Sequence, residues 1–217
     1  MRLNIGTIQP TKNTAIVVAD ALRSAILQGR LRSGQSLKQD EIAAEFNVSK
    51  IPVREALVQL QAEGLVNLIP SRGAVVSKLS YDDIAEIYTI RIALEPIALR
   101  QAIPQMTHVD FVQLDAILEH IDHEEDLTKW AELNWEFHST LYAPANMPRL
   151  IQMIRTLHHN VARYLKLNYL DKGYLAQSQQ QHTELLRLSR EGQVDQACEL
   201  LVYHLSDPLE AFKEAFK

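Results

Sequence analysis

Three histidines and one asparagine in the C-terminal part of this chain have the spacing of a metal site. Asn134 and His138 are four apart, so on a helix they project from one face. His182 lies ten residues before Gly192, and His204 lies twelve after it. If Gly192 marks the turn of a helical hairpin, a rise of ~1.5 Å per residue sets both imidazoles ~15–18 Å from that turn. They would then stand at nearly one height and could meet. Three imidazoles with an amide oxygen suit a borderline divalent ion, zinc or nickel above others. The same spacings also fit unrelated core and surface histidines, and spacing alone leaves both readings open. Of the other histidines, His120 and His123 flank acidic residues in a loop-like stretch, and His108 could cap a helix. His158 and His159 are adjacent and cannot both face one site. Arg91 falls on an apolar helical stripe, where a long cation is unexpected. It either pairs with Glu95 one turn on or grips a carboxylate ligand with its planar fork. Arg163 is a second candidate of that kind.

A different chemistry is written between Gln39 and Val76. Ile42 and Phe46 share a helix face, and Asn47 tolerates the left-handed conformation that ends a helix. Ser49 can cap a new helix through its side-chain oxygen, and Pro52 is acceptable in a first turn. Val53, Ala56, Leu57 and Leu60 form that helix's apolar stripe. Lys50, Ile51 and Arg54 lie off the stripe, near the N-terminus, where a recognition helix meets base edges and phosphates. Gly64 ends the helix. Leu65 to Ile69 is strand-like, Pro70-Ser71-Arg72-Gly73 is a turn, and Ala74 to Val76 is a return strand. Arg72 at the tip would reach phosphate or the minor groove. This order of elements is that of a winged helix-turn-helix, a reader of double-stranded DNA, while the spacing alone also fits an ordinary helical hairpin with a solvated basic face.

The charge is divided in the same way. Residues 1–78 carry ten basic and six acidic side chains, a net of +4. The remainder carries twelve basic and 21 acidic, a net of −9. A basic module joined to an acidic one implies that the first part alone meets a polyanion. Cys198 is the single cysteine, which excludes an intrachain disulfide framework. No apolar run approaches the ~18 residues of a membrane span. The N-terminal residues lack a signal-peptide core, so a cytoplasmic protein is expected.

Val48-Ser49-Lys50-Ile51-Pro52-Val53-Arg54-Glu55-Ala56-Leu57, followed by Glu63-Gly64-Leu65-Val66, resembles the signature of the GntR family of bacterial transcription regulators. The run from Leu22 to Leu31 resembles that family's first helix and the turn after it. The resemblance implies operator contacts from Ser49, Lys50 and Arg54, with Gly73 as the wing glycine; Ile51, Pro52 and Arg72 join them as candidates by position. The chain departs from the family in carrying Gln39-Asp40 where a basic or small polar residue is common; Lys38 is the substitute contact. Phe137-His138, Gln181-His182 and His204 resemble the FCD ligand-binding domain of the FadR-type branch. Many such domains hold a metal with three histidines and an aspartate four residues before the first. That position here is Asn134, so the resemblance implies a neutral ligand set of Asn134, His138, His182 and His204.

The elements that must position these residues read as helices from Leu79 onward. Ser80 with Asp83 is a capping pair, followed by Ile84, Ile87, Tyr88, Arg91, Glu95 and Ala98 on one face. Pro104 closes this helix. Further helices are expected from about Val109 to His120, from Leu127 to Tyr142, and from Asn146 to Leu170. Gly173 would separate the last from a helix ending near Gly192. Two final helices follow, with Pro208 in the first turn of the last. The fold class is mainly α: a winged helix-turn-helix of three helices and a small β-hairpin over 1–78, then an antiparallel bundle of six or seven helices over 79–217. The expected protein is a dimeric regulator that reads a palindromic operator and answers a small organic acid bound near the metal by Arg91 and Arg163. Repression relieved by ligand is the family's common mode. The rival from another class is a histidine-metal hydrolase or lyase, for which no carboxylate stands out as general base. A regulator with a vestigial metal site is a third possibility.

Overall fold

The computed structural model describes residues 14–70, 73–164 and 172–215. The chain divides into two compact units, Met1–Lys78 and Leu79–Lys217. The first contains α1 (Thr14–Leu27), β1 (Ser36–Leu37), α2 (Gln39–Glu45), α3 (Lys50–Ala62), β2 (Val66–Ile69) and β3 (Gly73–Val76). Val53, Ala56, Leu57 and Leu60 of α3 are buried against Val18, Leu22 and Ile26 of α1 and Ile42 of α2. Each buried Val or Leu side chain contributes about 1.5–3 kcal/mol. Asn47 turns the chain between α2 and α3 at φ 52°, and Gly64 turns it after α3 at φ 74°.

The wing is a three-stranded antiparallel sheet in the order β1-β3-β2, not a simple hairpin. Leu37 pairs with Ala74, which on its other side pairs with Leu68. A two-residue strand is too short to show an alternation, so β1 left no periodicity in the sequence. It explains Gly73. With φ 102° and a Cβ that would lie 2.2 Å from the Leu37 carbonyl oxygen, this position admits no other residue without moving β1. Gly73→Ala is expected to cost of order 1–3 kcal/mol. Urea unfolding of the full chain would measure this, and stability equal to wild type would mean that β1 yields freely.

The second unit contains six helices among its described residues: α4 (Tyr81–Ala102), α5 (His108–His123), α6 (Leu127–Tyr142), α7 (Pro148–Tyr164), α8 (Lys172–Arg190) and α9 (Val194–Ala215). The capping pair at the start of α4 forms as expected, with Asp83 accepting from the Ser80 backbone N–H at 2.7 Å. Burial keeps Ile84, Tyr88, Arg91, Glu95 and Ala98 on one face. α4 packs on α9 and α7, and α5 on α6 and α8.

Several expectations about this unit are corrected. Val194 to Ala215 is one helix, not two, with Pro208 inside it. Proline removes one N–H, and the buried packing of Pro208 keeps the helix continuous across that loss. Pro96 sits inside α4, partly buried. Gly173 is the second residue of α8 and separates nothing, because an exposed glycine costs a helix only ~1 kcal/mol. α7 begins at Pro148, after Asn146 at φ 52°; the rest of the expected helix, 165–170, lies outside the described residues. His120 and His123 belong to the last turn of α5, not to a loop. His108 is the first residue of α5, and the cap before it is Thr107 with Asp110. No helix among the described residues is long and apolar enough to cross a membrane.

Candidate functional site

The buried centre of the helical unit is built from α4, α6, α8 and α9. Asn134, His138 and Tyr142 follow at four-residue intervals on α6, so they line one face. The hairpin of α8 and α9 turns at Gly192, φ 68°, and brings His182 and His204 together with ring centroids 4.7 Å apart. His138 lies 5.1 Å from each of them. One ring nitrogen from each of the three falls within 4.8 Å of the others.

The surrounding hydrogen bonds fix which nitrogens those are. Tyr142 donates its hydroxyl to Glu95 Oε2 at 2.7 Å, so its oxygen accepts from His138 Nδ1 at 3.1 Å. Gln181 points its amide nitrogen at Asp207, leaving Oε1 to accept from His204 Nδ1 at 2.6 Å. Gln179 gives its amide nitrogen to the Leu118 carbonyl and presents Oε1 to His182 Nδ1 at 3.4 Å. Each imidazole therefore carries its proton on Nδ1 and a lone pair on Nε2. The Nε2 atoms of His138 and His204 face each other at 3.2 Å, and His182 Nε2 has no partner. Two lone pairs at that distance repel unless a cation lies between them.

Burial also suppresses protonation as the remedy. Burial, with His182 and His204 beside it, holds the His138 pKa well below the ordinary imidazole value. Burial and His204 do the same to His182. Burial, with Arg91 nearby, brings His204 down to about 3. A divalent ion fits this donor set: four-coordinate zinc with Zn–N ~2.0–2.1 Å needs its nitrogens roughly 3.3 Å apart. Outer partners on the far ring nitrogen are the usual support of a metal-binding histidine. Asn134 is buried beside them, and its Oδ1 has no hydrogen-bond partner.

The neighbouring cavity is small, about 20 Å³, and is lined by Arg91, Asn134, His138, His158, Ser178 and His204 among others. That is room for about one water molecule. Arg91 is 3 % exposed and gives Nε to Glu95 Oε1 at 2.6 Å, with its guanidinium 4.9 Å from the Tyr88 ring. Burial opposes its charge, but Glu95 more than compensates and its pKa is raised. The pair with Glu95 one turn on is thus formed, in the interior, and Arg91 also lines the cavity. Arg163 lies on α7, and its side chain is outside the described residues. His158 was not foreseen. It is buried, stacks 4.8 Å from Trp135, and neither ring nitrogen finds a partner, nor does Ser178 Oγ. Adjacency to His159 fixed that one of the two must face away, but not which.

On the winged unit, Lys50, Ile51 and Arg54 are exposed on α3, with Pro52 half-buried between them. Ser49 occupies the N-cap position with extended backbone but makes no side-chain cap bond, contrary to expectation. It is exposed, so water can serve the first-turn N–H groups and the hydroxyl is left unengaged. Lys38 is the N-cap residue of α2, with its ammonium 2.7 Å from Glu41. Lys50 is 2.5 Å from Asp40. Arg72 lies outside the described residues, while Gly73 opens β3 beside α2 and α3.

A winged helix-turn-helix followed by an all-helical unit with a buried ligand centre is the make-up of a transcription regulator. The profile described as bacterial regulatory proteins, gntR family, matches residues 14–76, and that of the FCD domain matches residues 86–207. The chain belongs to the GntR family of bacterial regulatory proteins, in its FCD-bearing branch. It is 33 % identical over 153 residues to an uncharacterised HTH-type regulator of Mycobacterium tuberculosis, covering 70 % of this chain and 62 % of that one. The chain thus spans about three-fifths of the length of that relative. It is 26 % identical over 212 residues to the HTH-type transcriptional repressor RspR of Escherichia coli, covering 95 % and 92 % of the two chains. A solved GntR regulator from a Rhodococcus strain superposes with a TM-score of 0.78 at 26 % identity, over 94 % of this chain and 99 % of that one.

Proposed function

We propose that this regulator is a metal-dependent repressor that binds a palindromic operator as a homodimer and releases it when a small organic acid enters the helical unit. The observation that carries the metal half is the convergence of three Nε2 lone pairs whose Nδ1 protons are all committed elsewhere. His138, His182 and His204 would hold the ion, with Asn134 Oδ1 as the fourth donor. When bound, the ion supplies positive charge and an open coordination position to an anionic ligand. Because all four protein donors are neutral, a carboxylate effector would complete the charge balance as well as the shell. Arg91 stands at the same cavity as a second positive group. Arg163 is retained as a candidate on sequence grounds alone.

A cavity of about 20 Å³ cannot admit an organic acid without helices moving apart. Effector binding would therefore favour a more open state of the unit, and its influence on DNA is bounded by its differential affinity for the two states. Repression is the mode named for the Escherichia coli relative. Two-fold assembly matches a palindromic site.

Ser49, Lys50, Ile51, Pro52 and Arg54, with Lys38, Arg72 and Gly73 at the margins, would form the DNA face. Among the described residues Arg54 has no carboxylate partner, so it meets DNA with its full charge and fork. Arg54→Ala is expected to weaken operator binding by ~1–3 kcal/mol and to relax preference at one base pair. Fluorescence anisotropy on a duplex selected from a randomised pool would test this; undiminished affinity would remove α3 as the reading helix. For the sensor half, metal analysis of the purified chain followed by operator titrations with and without chelator is the decisive experiment. A metal-free protein that responds fully to effector would favour the vestigial-site reading.

A further inference from the structure

The cations of the DNA face are not equivalent. Among the described residues Arg54 has no carboxylate partner, whereas Lys50 is joined to Asp40 at 2.5 Å and Lys38 to Glu41 at 2.7 Å. Asp40 and Glu41 stand in the first turn of α2, and all four side chains line one open groove with Ile69, Gly73 and Val75 of the wing. All four are largely exposed, so neither pair is needed to neutralise a buried charge, and an exposed pair adds little to stability. Acidic groups also suit a helix N-terminus, which by itself would account for Asp40 without reference to DNA. The bond to Lys50 is what that account leaves over, because Lys50 belongs to a different helix.

We propose that Asp40 is a specificity-determining residue that makes the grip of Lys50 conditional on a base edge. The inference rests on the reading of α3 as the recognition helix. A lysine ammonium has three donors and no acceptor. Bound to Asp40 it has almost no net charge to offer a phosphate, and the carboxylate repels that phosphate besides. A guanine O6 or N7 is a neutral acceptor and asks only for a directed N–H. Lys50 can give one N–H to the base and keep another on Asp40. Asp40 therefore opposes sequence-independent phosphate binding while permitting base readout, and it holds the ammonium in place for the latter. Arg54 is left to supply affinity without such a condition.

The test uses the full chain with Asp40→Asn, Lys50→Ala and the double substitution. Two duplexes of equal length serve as probes, one selected from a randomised pool by the wild type and one scrambled. Both are titrated across a salt series. One additional effective phosphate contact changes the slope of log K against log salt by about 0.9, which at ~0.1 M salt is about eightfold in affinity. Asp40→Asn is thus expected to tighten the scrambled duplex about eightfold with that steeper slope. The selected duplex gains less, and the ratio between the two falls. In the Lys50→Ala background the effect of Asp40→Asn should shrink to within about twofold, the non-additivity expected of residues in contact. An equal gain in both backgrounds would reduce Asp40 to a diffuse negative charge, and no gain in either would reduce it to a helix-end residue; both overturn the proposal. A wild type that enriches no duplex overturns the recognition-helix reading, and this inference falls with it.

Discussion

Arg91→Ala will cost the helical unit about 3–5 kcal/mol, the usual result of leaving one member of a buried ion pair without its partner. Glu95 is fully buried, and Arg91 Nε is its only described cationic neighbour at 2.6 Å. Truncating Arg91 strands that carboxylate in a medium that cannot solvate it and also opens space against Tyr88. The apparent melting temperature should fall by of order 10 °C. The carboxylate retains the Tyr142 hydroxyl, one of the bonds that keep the loss from being larger. Arg91→Lys keeps the charge and should lose less. A paired replacement, Arg91→Met with Glu95→Gln, removes both charges together and should recover much of the stability. Urea unfolding followed by circular dichroism measures all three. If Arg91→Ala stayed within about 1 kcal/mol of wild type, the guanidinium would have to be serving a ligand instead of the fold.

The second large effect concerns the histidines. Zinc or nickel at about a hundred times its dissociation constant should stabilise the wild type by about 2.7 kcal/mol, seen as a rise in melting temperature. His204→Ala should abolish that rise, since it removes one of the two Nε2 atoms that face each other at 3.2 Å. Its metal-free form should lose less than a buried truncation ordinarily does, because the lone-pair conflict with His138 goes with the side chain. Asn134→Asp supplies the anionic donor that the related domains carry, and should tighten metal binding tenfold or more by adding a charge at the ion. The pair of variants guards against a simple folding defect. A wild type whose melting temperature ignores both metals, together with an equally indifferent Asn134→Asp, would end the metal reading.

Much of this was legible in the chain because it is local. The stripe Val53, Ala56, Leu57, Leu60 gives one face of α3 by periodicity, and it leaves Lys50, Ile51 and Arg54 on the other. Counting residues on either side of Gly192 placed His182 and His204 at one height. The errors also have local causes. β1 is too short to carry a pattern, and a proline or glycine reads as a break although buried packing can hold a helix together across Pro208 and an exposed Gly173 can sit in a first turn.

By itself the sequence determined the order of elements, the charge division between the two units, that Asn134 and His138 share a face and that His182 and His204 stand at one height, since these follow from helical geometry and composition. Only the tertiary structure decided that Glu95, Tyr142, Gln179 and Gln181 commit the Nδ1 protons, that Arg91 pairs inside the unit, and that Asp40 holds Lys50. Some of these partners are one helical turn apart, as for Arg91 with Glu95 and His138 with Tyr142, and others are 23 to 66 residues apart, as for Gln181 with His204 and His138 with His204. Local spacing makes the near pairs possible but does not choose them, because the choice is made by how the packed helices bring their faces together and by the cost of leaving a buried polar group without a partner.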